Sequence, residues 1–184
     1  MTTTNEARRQ EGRGADVALR PLARADAPRI QALVADERIA RWSANIEHPY
    51  PEGGARRFLD KAMRLEAAGE ARFFAILLDD DLVGGAGFGA HPDGTLHVGY
   101  WVGVEWWGRG VATKAMALLL GEAARWRPGV GFTALVTPGN AGSVRVLEKS
   151  GFVLAGTAMS PAPARGGDVE VLRFLRAAGA EEAA

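Results

Sequence analysis

The chain has 184 residues, a formal net charge of zero at pH 7 and no cysteine. That length makes one domain with a substantial core, and neutrality removes any broad electrostatic pull toward nucleic acid or an anionic membrane surface. Without thiols there are no disulfides, no cysteine nucleophile and no thiolate metal site.

Residues 1–16 are polar and aperiodic and read as a disordered tail, with the folded domain over 17–176 and a small tail over 177–184. The N-terminus has no apolar signal region and no run reaches transmembrane length, so the expected location is cytoplasmic. Val17–Leu22 reads as a strand. Helical signals begin at Arg24–Asp26, with Asp26 as the cap and Ile30, Leu33 and Val34 on the buried face. From Arg38 to Pro51 the pattern is irregular. A second helix is expected over Glu52–Ala68, with Phe58, Leu59, Ala62 and Leu65 inward and Gly69 ending it. Arg72–Leu78 and Leu82–Phe88 read as a hairpin around Asp79-Asp80-Asp81. The glycines at 84, 85, 87 and 89 weaken its second strand as a packer and let another element approach.

Leu96–Val104 is β-branched and aromatic and reads as the central strand. From Arg109 the pattern turns helical, with Val111, Ala115, Leu118, Leu119 and Glu122 at three- and four-residue spacings. Arg127-Pro128-Gly129 stops this helix. Phe132–Val136 is the next strand, Asn140 caps a helix that Gly151 closes, and Phe152–Gly156 is a strand. A Pro/Gly-rich loop over Ser160–Gly167 leads to a last strand, Val169–Leu175. Runs of strands with both hairpin and crossover connections indicate a mixed sheet flanked by helices, an α+β fold.

The junction Trp107-Gly108-Arg109-Gly110-Val111-Ala112-Thr113 is a strand-to-helix turn of small residues. Unpartnered N–H groups and the macrodipole at a helix start attract anions, and small side chains let a phosphate approach the backbone. A P-loop is excluded because Arg109-Gly110 follows Gly108 where Lys-Ser/Thr would be needed. A dinucleotide fingerprint fails at Thr113, and no acidic residue ends the next strand. An acyl-CoA pyrophosphate loop, Q/R-x-x-G-x-G/A, fits from Trp107 to Ala112 except at its first position. A turn that binds nothing has the same residues.

A second stretch discriminates. Val136 to Phe152, with Asn140, Ser143, Lys149 and Gly151-Phe152 at the spacing V-x-x-x-N-x-x-S-x-x-x-x-x-K-x-G-F, resembles the GNAT superfamily of N-acetyltransferases, and within it the RimJ/RimL branch. That branch favours an aromatic residue and Trp-Gly-x-Gly in the pyrophosphate loop, as here, and Gly99-Tyr100-Trp101 resembles its G-Y-W strand. The resemblance spans about Val17 to Leu175. It implies a twisted, mostly antiparallel mixed sheet, splayed between the central strand and Phe132–Val136. Acetyl-CoA would be the acyl donor, its pyrophosphate on Trp107, Gly108, Arg109, Gly110, Val111, Ala112 and Thr113. The pantetheine arm would lie against the backbone of Trp101 and Val102 and the side chain of Asn140.

The resemblance also gives Ser143 the role of donating to the departing thiolate. Many relatives use a tyrosine that follows the Asn position, but Tyr50 and Tyr100 are the only tyrosines and both precede Asn140, which favours Ser143. Bland readings stand beside these: Asn140 as a helix cap and Ser143 as a first-turn residue. His97 occupies a position where relatives often carry Glu, on the strand face shared with Gly99 and Trp101. It is a candidate base with a reference pKa near 6.5, or a histidine held by neighbouring backbone. Trp42, Glu47, His48 and Tyr50 fall where relatives build one wall of the acceptor site. Histidines 48, 91 and 97 are scattered, so no metal site is expected. The tryptophans lack interleaved basic residues, so no nucleic-acid platform is expected.

The implied activity is direct transfer of an acetyl group to a primary amine, since no cysteine can carry it. The expected acceptor is a peptide or protein N-terminal α-amine. A small-molecule amine, or an idle acyl-CoA-binding module, remains the alternative, and oligomeric state is open.

Overall fold

The computed structural model describes residues 16–179. The expected tails lie outside the described residues except for Asp16 and 177–179. The strands are β1 (Val17–Pro21), β2 (Ala71–Leu78), β3 (Asp81–Ala90), β4 (Leu96–Val102), β5 (Phe132–Val136), β6 (Val153–Ala162) and β7 (Gly167–Arg176), and they form one sheet in the order β1-β2-β3-β4-β5-β7-β6. The helices are α1 (Ala27–Val34), α2 (Glu37–Ala40), α3 (Gly54–Ala67), α4 (Val111–Trp126) and α5 (Ala141–Lys149). Every strand pair is antiparallel except β4–β5.

Alternation divides the sheet into two packed faces. Val98 and Val102 of β4 join Val83 and Phe88 of β3 under α4, where Val111, Ala115, Met116, Leu119 and Ala123 are buried. The other face carries Ala75, with Trp101 at its margin, under Ile30 and Val34 of α1 and Leu59 of α3. Leu118, expected among the inward residues of α4, is 42% exposed, and Met116 and Leu120 take the buried positions. The helix is rotated so that its stripe centres on Ala115 and Leu119.

Other local departures have physical causes. Asp26 sits at the cap position of α1, but its carboxylate turns back. It accepts from Ala23 N–H at 2.8 Å and from both terminal nitrogens of Arg20 at 2.8 and 2.7 Å. Just before the irregular stretch, Asp36 accepts from Arg38 N–H at 2.9 Å and caps the short helix α2, which runs into it. The β2–β3 turn is a tight two-residue hairpin, Asp79 and Asp80 both at positive φ, as a primed turn requires. Strand β6 runs on through Pro161, which pairs with Asp168. It is an edge strand, where a proline's missing N–H costs no ladder bond. The expected loop shrinks to Pro163–Arg165 and Gly166.

Parallel pairing of β4 and β5 is confined to Leu96↔Phe132 and His97↔Thr133, after which the strands part. A polar clasp marks the last joined level. Thr95 and the fully buried Thr133 share a hydroxyl–hydroxyl hydrogen bond of 2.6 Å. Asp93 accepts from Thr95 N–H at 2.9 Å, from Thr95 Oγ1 at 2.6 Å and from Arg173 of β7 at 2.6 Å. Burial opposes ionisation of Asp93. The donors Thr95, His91 and Arg173 outweigh it and hold the carboxyl well below the usual carboxylate range.

Asp93→Ala strands several of these donors and should cost about 1–3 kcal/mol in urea unfolding. A carboxylate with a depressed pKa contributes stability that is complete above its unfolded value and is lost as pH falls below it. Wild type should therefore lose its advantage over Asp93→Asn as the pH is lowered from about 5 toward 3. A parallel decline of the two proteins would refute the clasp.

Candidate active site

Gly108 and Gly110 both adopt left-handed φ, at 75° and 78°, and a β-carbon built on either meets nothing within 4 Å. They place the first turn of α4, including Val111, Ala112 and Thr113, on the wall of a cleft of about 1370 Å³. The turn is pinned to β4: Trp107 donates its indole N–H to the Val102 carbonyl at 2.7 Å. An aromatic residue with a ring N–H at this position thus ties the glycine turn to the end of the central strand.

Within β4, Leu96 N–H is bonded to the Gly131 carbonyl on the β5 side, and Gly103 N–H to the Val83 carbonyl on the β3 side. Successive residues alternate the edge they serve. Val98 closes the last parallel pair with β5, Tyr100 and Val102 therefore aim backbone groups at the gap left where β5 departs, and Trp101 aims its own at β3. Of the two residues expected to pair with a pantetheine arm, Val102 is on the open edge and Trp101 is not. The indole of Trp101 instead lies against the wall over Gly85.

Across the gap, Asn140 caps α5: its Oδ1 accepts from Ser143 N–H at 3.1 Å. The cap orients the first turn so that Ser143 Oγ accepts from the Tyr100 hydroxyl at 3.2 Å. Burial raises the Tyr100 pKa, against a smaller opposing effect of the Ser143 bond, so the phenol keeps its proton. Arg145 and Lys149, one turn apart on α5, line the same cleft.

His97 lines the cleft with its ring stacked on His91 at 6.0 Å between centroids. Its Nδ1 is buried without a hydrogen-bond partner. Desolvation, then the neighbouring His91, pushes its pKa down to about 4 against a smaller opposing pull from Asp93. The imidazole is neutral at physiological pH and is a weak base.

The far end of the cleft is walled by Trp42, Ile46, Tyr50, Phe58 and Phe73. The 41–46 loop is bridged to the opposite half of the molecule. Ala164 N–H bonds to the Ala44 carbonyl at 3.1 Å, Arg165 Nε to the Ser43 carbonyl at 3.3 Å, and Thr137 Oγ1 to the Trp42 carbonyl at 3.3 Å.

The expected residues therefore converge, with three exceptions. Arg109, Glu47 and His48 do not line the cleft: Arg109 is exposed beside the turn, and Glu47 and His48 are exposed on the outer side of their loop. Sequence reasoning also missed Tyr100, Arg145 and Lys149. Tyr100 was discounted for preceding Asn140, although strand alternation already placed it on the face opposite His97. The i, i+4 cations on the helix after Asn140 were a readable signal too. Among the described residues no group of His, Cys, Asp or Glu could hold a metal ion, and no helix is long and apolar enough to cross a membrane.

A family model for the acetyltransferase (GNAT) domain matches residues 16–153. No curated protein matches the sequence. Among solved structures, RimL, a ribosomal L7/L12 α-N-protein acetyltransferase in complex with coenzyme A, superposes with a TM-score of 0.76 at 20% identity, covering 90% of this chain and 96% of that one. The ribosomal-protein-S5-alanine acetyltransferase from Vibrio fischeri gives 0.72 at 22%, covering 89% and 94%. The aminoglycoside acetyltransferase AAC(6')-Ib, in complex with ribostamycin and coenzyme A, gives 0.72 at 18%, covering 88% and 93%. At these identities the likeness is one of fold.

Gly110→Asp should weaken coenzyme A binding by at least about tenfold in calorimetry, because a carboxylate would stand where the turn receives an anion. Gly110→Asn, similar in size and equally tolerant of positive φ, should lose much less. Equal, near wild-type affinity in both folded variants would remove the turn from the binding site.

Proposed function

The chain belongs to the GNAT acetyltransferase family and uses acetyl-CoA as its donor, and on that premise we propose that its acceptor is an amine of low basicity, the N-terminal α-amine of a peptide or protein. The observation that carries this acceptor class is His97. A base with a pKa of about 4 takes almost no proton from an ammonium group, so the amine must enter already neutral. For an α-amine of pKa about 7.7–8.0, deprotonation at pH 7 costs about 1–1.4 kcal/mol, against about 4.6 kcal/mol for a lysine side chain near 10.4. Water can meet the first cost and is poorly matched to the second.

The chain's own groups divide the work. The first turn of α4 receives the pyrophosphate, and Arg145 and Lys149 offer further cations to the phosphates. Asn140, holding α5 in register, stands on the pantetheine side. Open-edge N–H groups of β4 pair with the arm and polarise the thioester carbonyl. Bound acetyl-CoA supplies the activated thioester. As the amine nitrogen bonds to the carbonyl carbon and the C–S bond breaks, the nitrogen sheds its surplus proton to water and the leaving thiolate takes up a proton from water. Ser143 holds a hydrogen bond to the departing sulfur without giving up its own proton, and Tyr100, donating to Ser143 Oγ, sharpens that donor. His97 lines the cleft in its neutral form and presents no charge to the incoming amine.

A second reading has support of its own. The bridges from 163–165 to the 41–46 loop roof the acceptor end, which suits a small amine entering end-on as well as it suits a chain terminus. Turnover of acetyl-CoA with free N-terminal peptides, with Nα-blocked lysine peptides and with small amines decides between them. Free N-termini should exceed blocked lysine peptides by about 100-fold or more in kcat/KM. Comparable rates on the two would overturn the α-amine assignment.

Ser143→Ala should lower kcat by about 10- to 100-fold with little change in the acetyl-CoA KM, and Tyr100→Phe by a smaller factor in the same pattern. A loss of melting temperature with unchanged turnover would leave both residues structural. The acidic limb of kcat/KM should follow the pKa of the amine used, shifting when a less basic amine is substituted, and His97→Gln should leave its position unchanged. A limb at pH 6–7 that His97→Gln abolishes would restore the histidine as the base.

A further inference from the structure

We infer that the enzyme selects acceptors whose amine-bearing carbon carries an apolar, ring-sized group, and that this group sits in a chamber floored by Gly99. The inference rests on the α-amine reading above and adds to it the identity of the neighbouring side chain.

Gly99 lies between His97 and Trp101 on the β4 face that looks toward α1 and α3. It lines the cleft, and a β-carbon built on it meets nothing within 4 Å. Its backbone is outside the left-handed region, so neither a turn nor a tight contact demands glycine there. What the missing side chain leaves is space inside the cleft. The neighbouring glycines on this face are different. A β-carbon on Gly87, directly across from Gly99 on β3, would come within 2.7 Å of the Phe73 ring, and one on Gly85 within 2.7 Å of the Trp101 ring. Gly85 and Gly87 also line the cleft but are covered by aromatic rings, and Gly99 alone of the three leaves room for a side chain.

The enclosure around that opening is apolar. Phe73 meets Phe58 of α3 edge to face at 6.0 Å. Tyr50 lies over Gly54, and Trp42 closes the side toward Gly139. Glu70, exposed at the rim, is the one carboxylate among the described residues that line the cleft. An acceptor with several cationic groups would bury charge here without counter-ions. An aromatic or large aliphatic side chain would instead gain ring contacts and lose water.

The test uses matched peptides differing only in their first residue, Phe, Leu, Gly or Asp, with wild type, Gly99→Ala and Gly99→Val. Val suits a strand, and melting curves with coenzyme A calorimetry establish that each variant folds and binds donor. Wild type should favour Phe and Leu over Gly and Asp by at least about tenfold in kcat/KM, since one methylene in an apolar pocket is worth about 10- to 200-fold. Gly99→Val should cut the Phe peptide by at least about tenfold and leave the Gly peptide within about threefold, with Gly99→Ala intermediate. Acetylation of all four peptides without preference, or an equal loss on all four in the folded variants, overturns the chamber and leaves the α-amine reading standing. Acetylation of none of them overturns both.

Discussion

Parallel pairing between β4 and β5 lasts two residue pairs and then ends, and the remaining chemistry of the molecule is arranged around that parting. Backbone N–H and C=O groups inside a sheet must be satisfied. When β5 turns away toward β7, Tyr100 and Val102 keep an edge that no strand fills. The gap is held at a defined level by side chains: the Thr95–Thr133 hydroxyl bond and the Asp93 hub that reaches Arg173 tie β4, β5 and β7 together immediately below it. Without that clasp the two strands could zip further or separate entirely, and the cleft has its shape only between those extremes.

The two sides of the parted sheet carry different tasks. On the side of α4 and α5, left-handed glycines, a helix start and the basic side chains Arg145 and Lys149 line the cleft, tied to β4 through the Trp107 indole; in the proposed function this surface receives the donor's phosphates. On the side of α1 and α3, the face bearing Gly85, Gly87, Gly99 and His97 is apolar and nearly free of charge. The strand between them alternates, so Tyr100 faces the side of α4 and α5 and its neighbours Gly99 and Trp101 face the side of α1 and α3. One heptapeptide strand thereby supplies an open backbone edge, the donor to Ser143 and, through Gly99, part of the cleft wall.

Burial sets the proton chemistry. The desolvation that lowers the His97 pKa also keeps the imidazole from repelling an incoming amine, at the expense of its strength as a base. The same desolvation raises Tyr100 and keeps it a donor. Two titratable groups on one strand are thus moved in opposite directions on the pKa scale, both toward their neutral forms. Both side chains are therefore uncharged at physiological pH.

Much of this was legible in the sequence, because it depends on local physics. Glycines at 108 and 110 before an apolar helix, Asn140 three residues before Ser143, and the alternation of β4 each report on a few consecutive residues, and the motif from Val136 to Phe152 identified the family. Boundaries were less legible where context overrides propensity: β6 continues through Pro161 because it is an edge, and α4 rotates Leu118 outward to fit the sheet. Tertiary structure alone decided the long-range facts. Tyr100 and Ser143 are 43 residues apart, and only the parting of the strands brings their hydroxyls to 3.2 Å. His97 has a base's ordinary pKa in the sequence and loses it through desolvation by surroundings that include His91, which no local pattern encodes. Gly99 reads as one more small strand residue until the rings over Gly85 and Gly87 show that it alone opens into empty space. Sequence determines the groups and their local geometry; the dielectric around a group, and the room beside it, exist only after distant segments have packed.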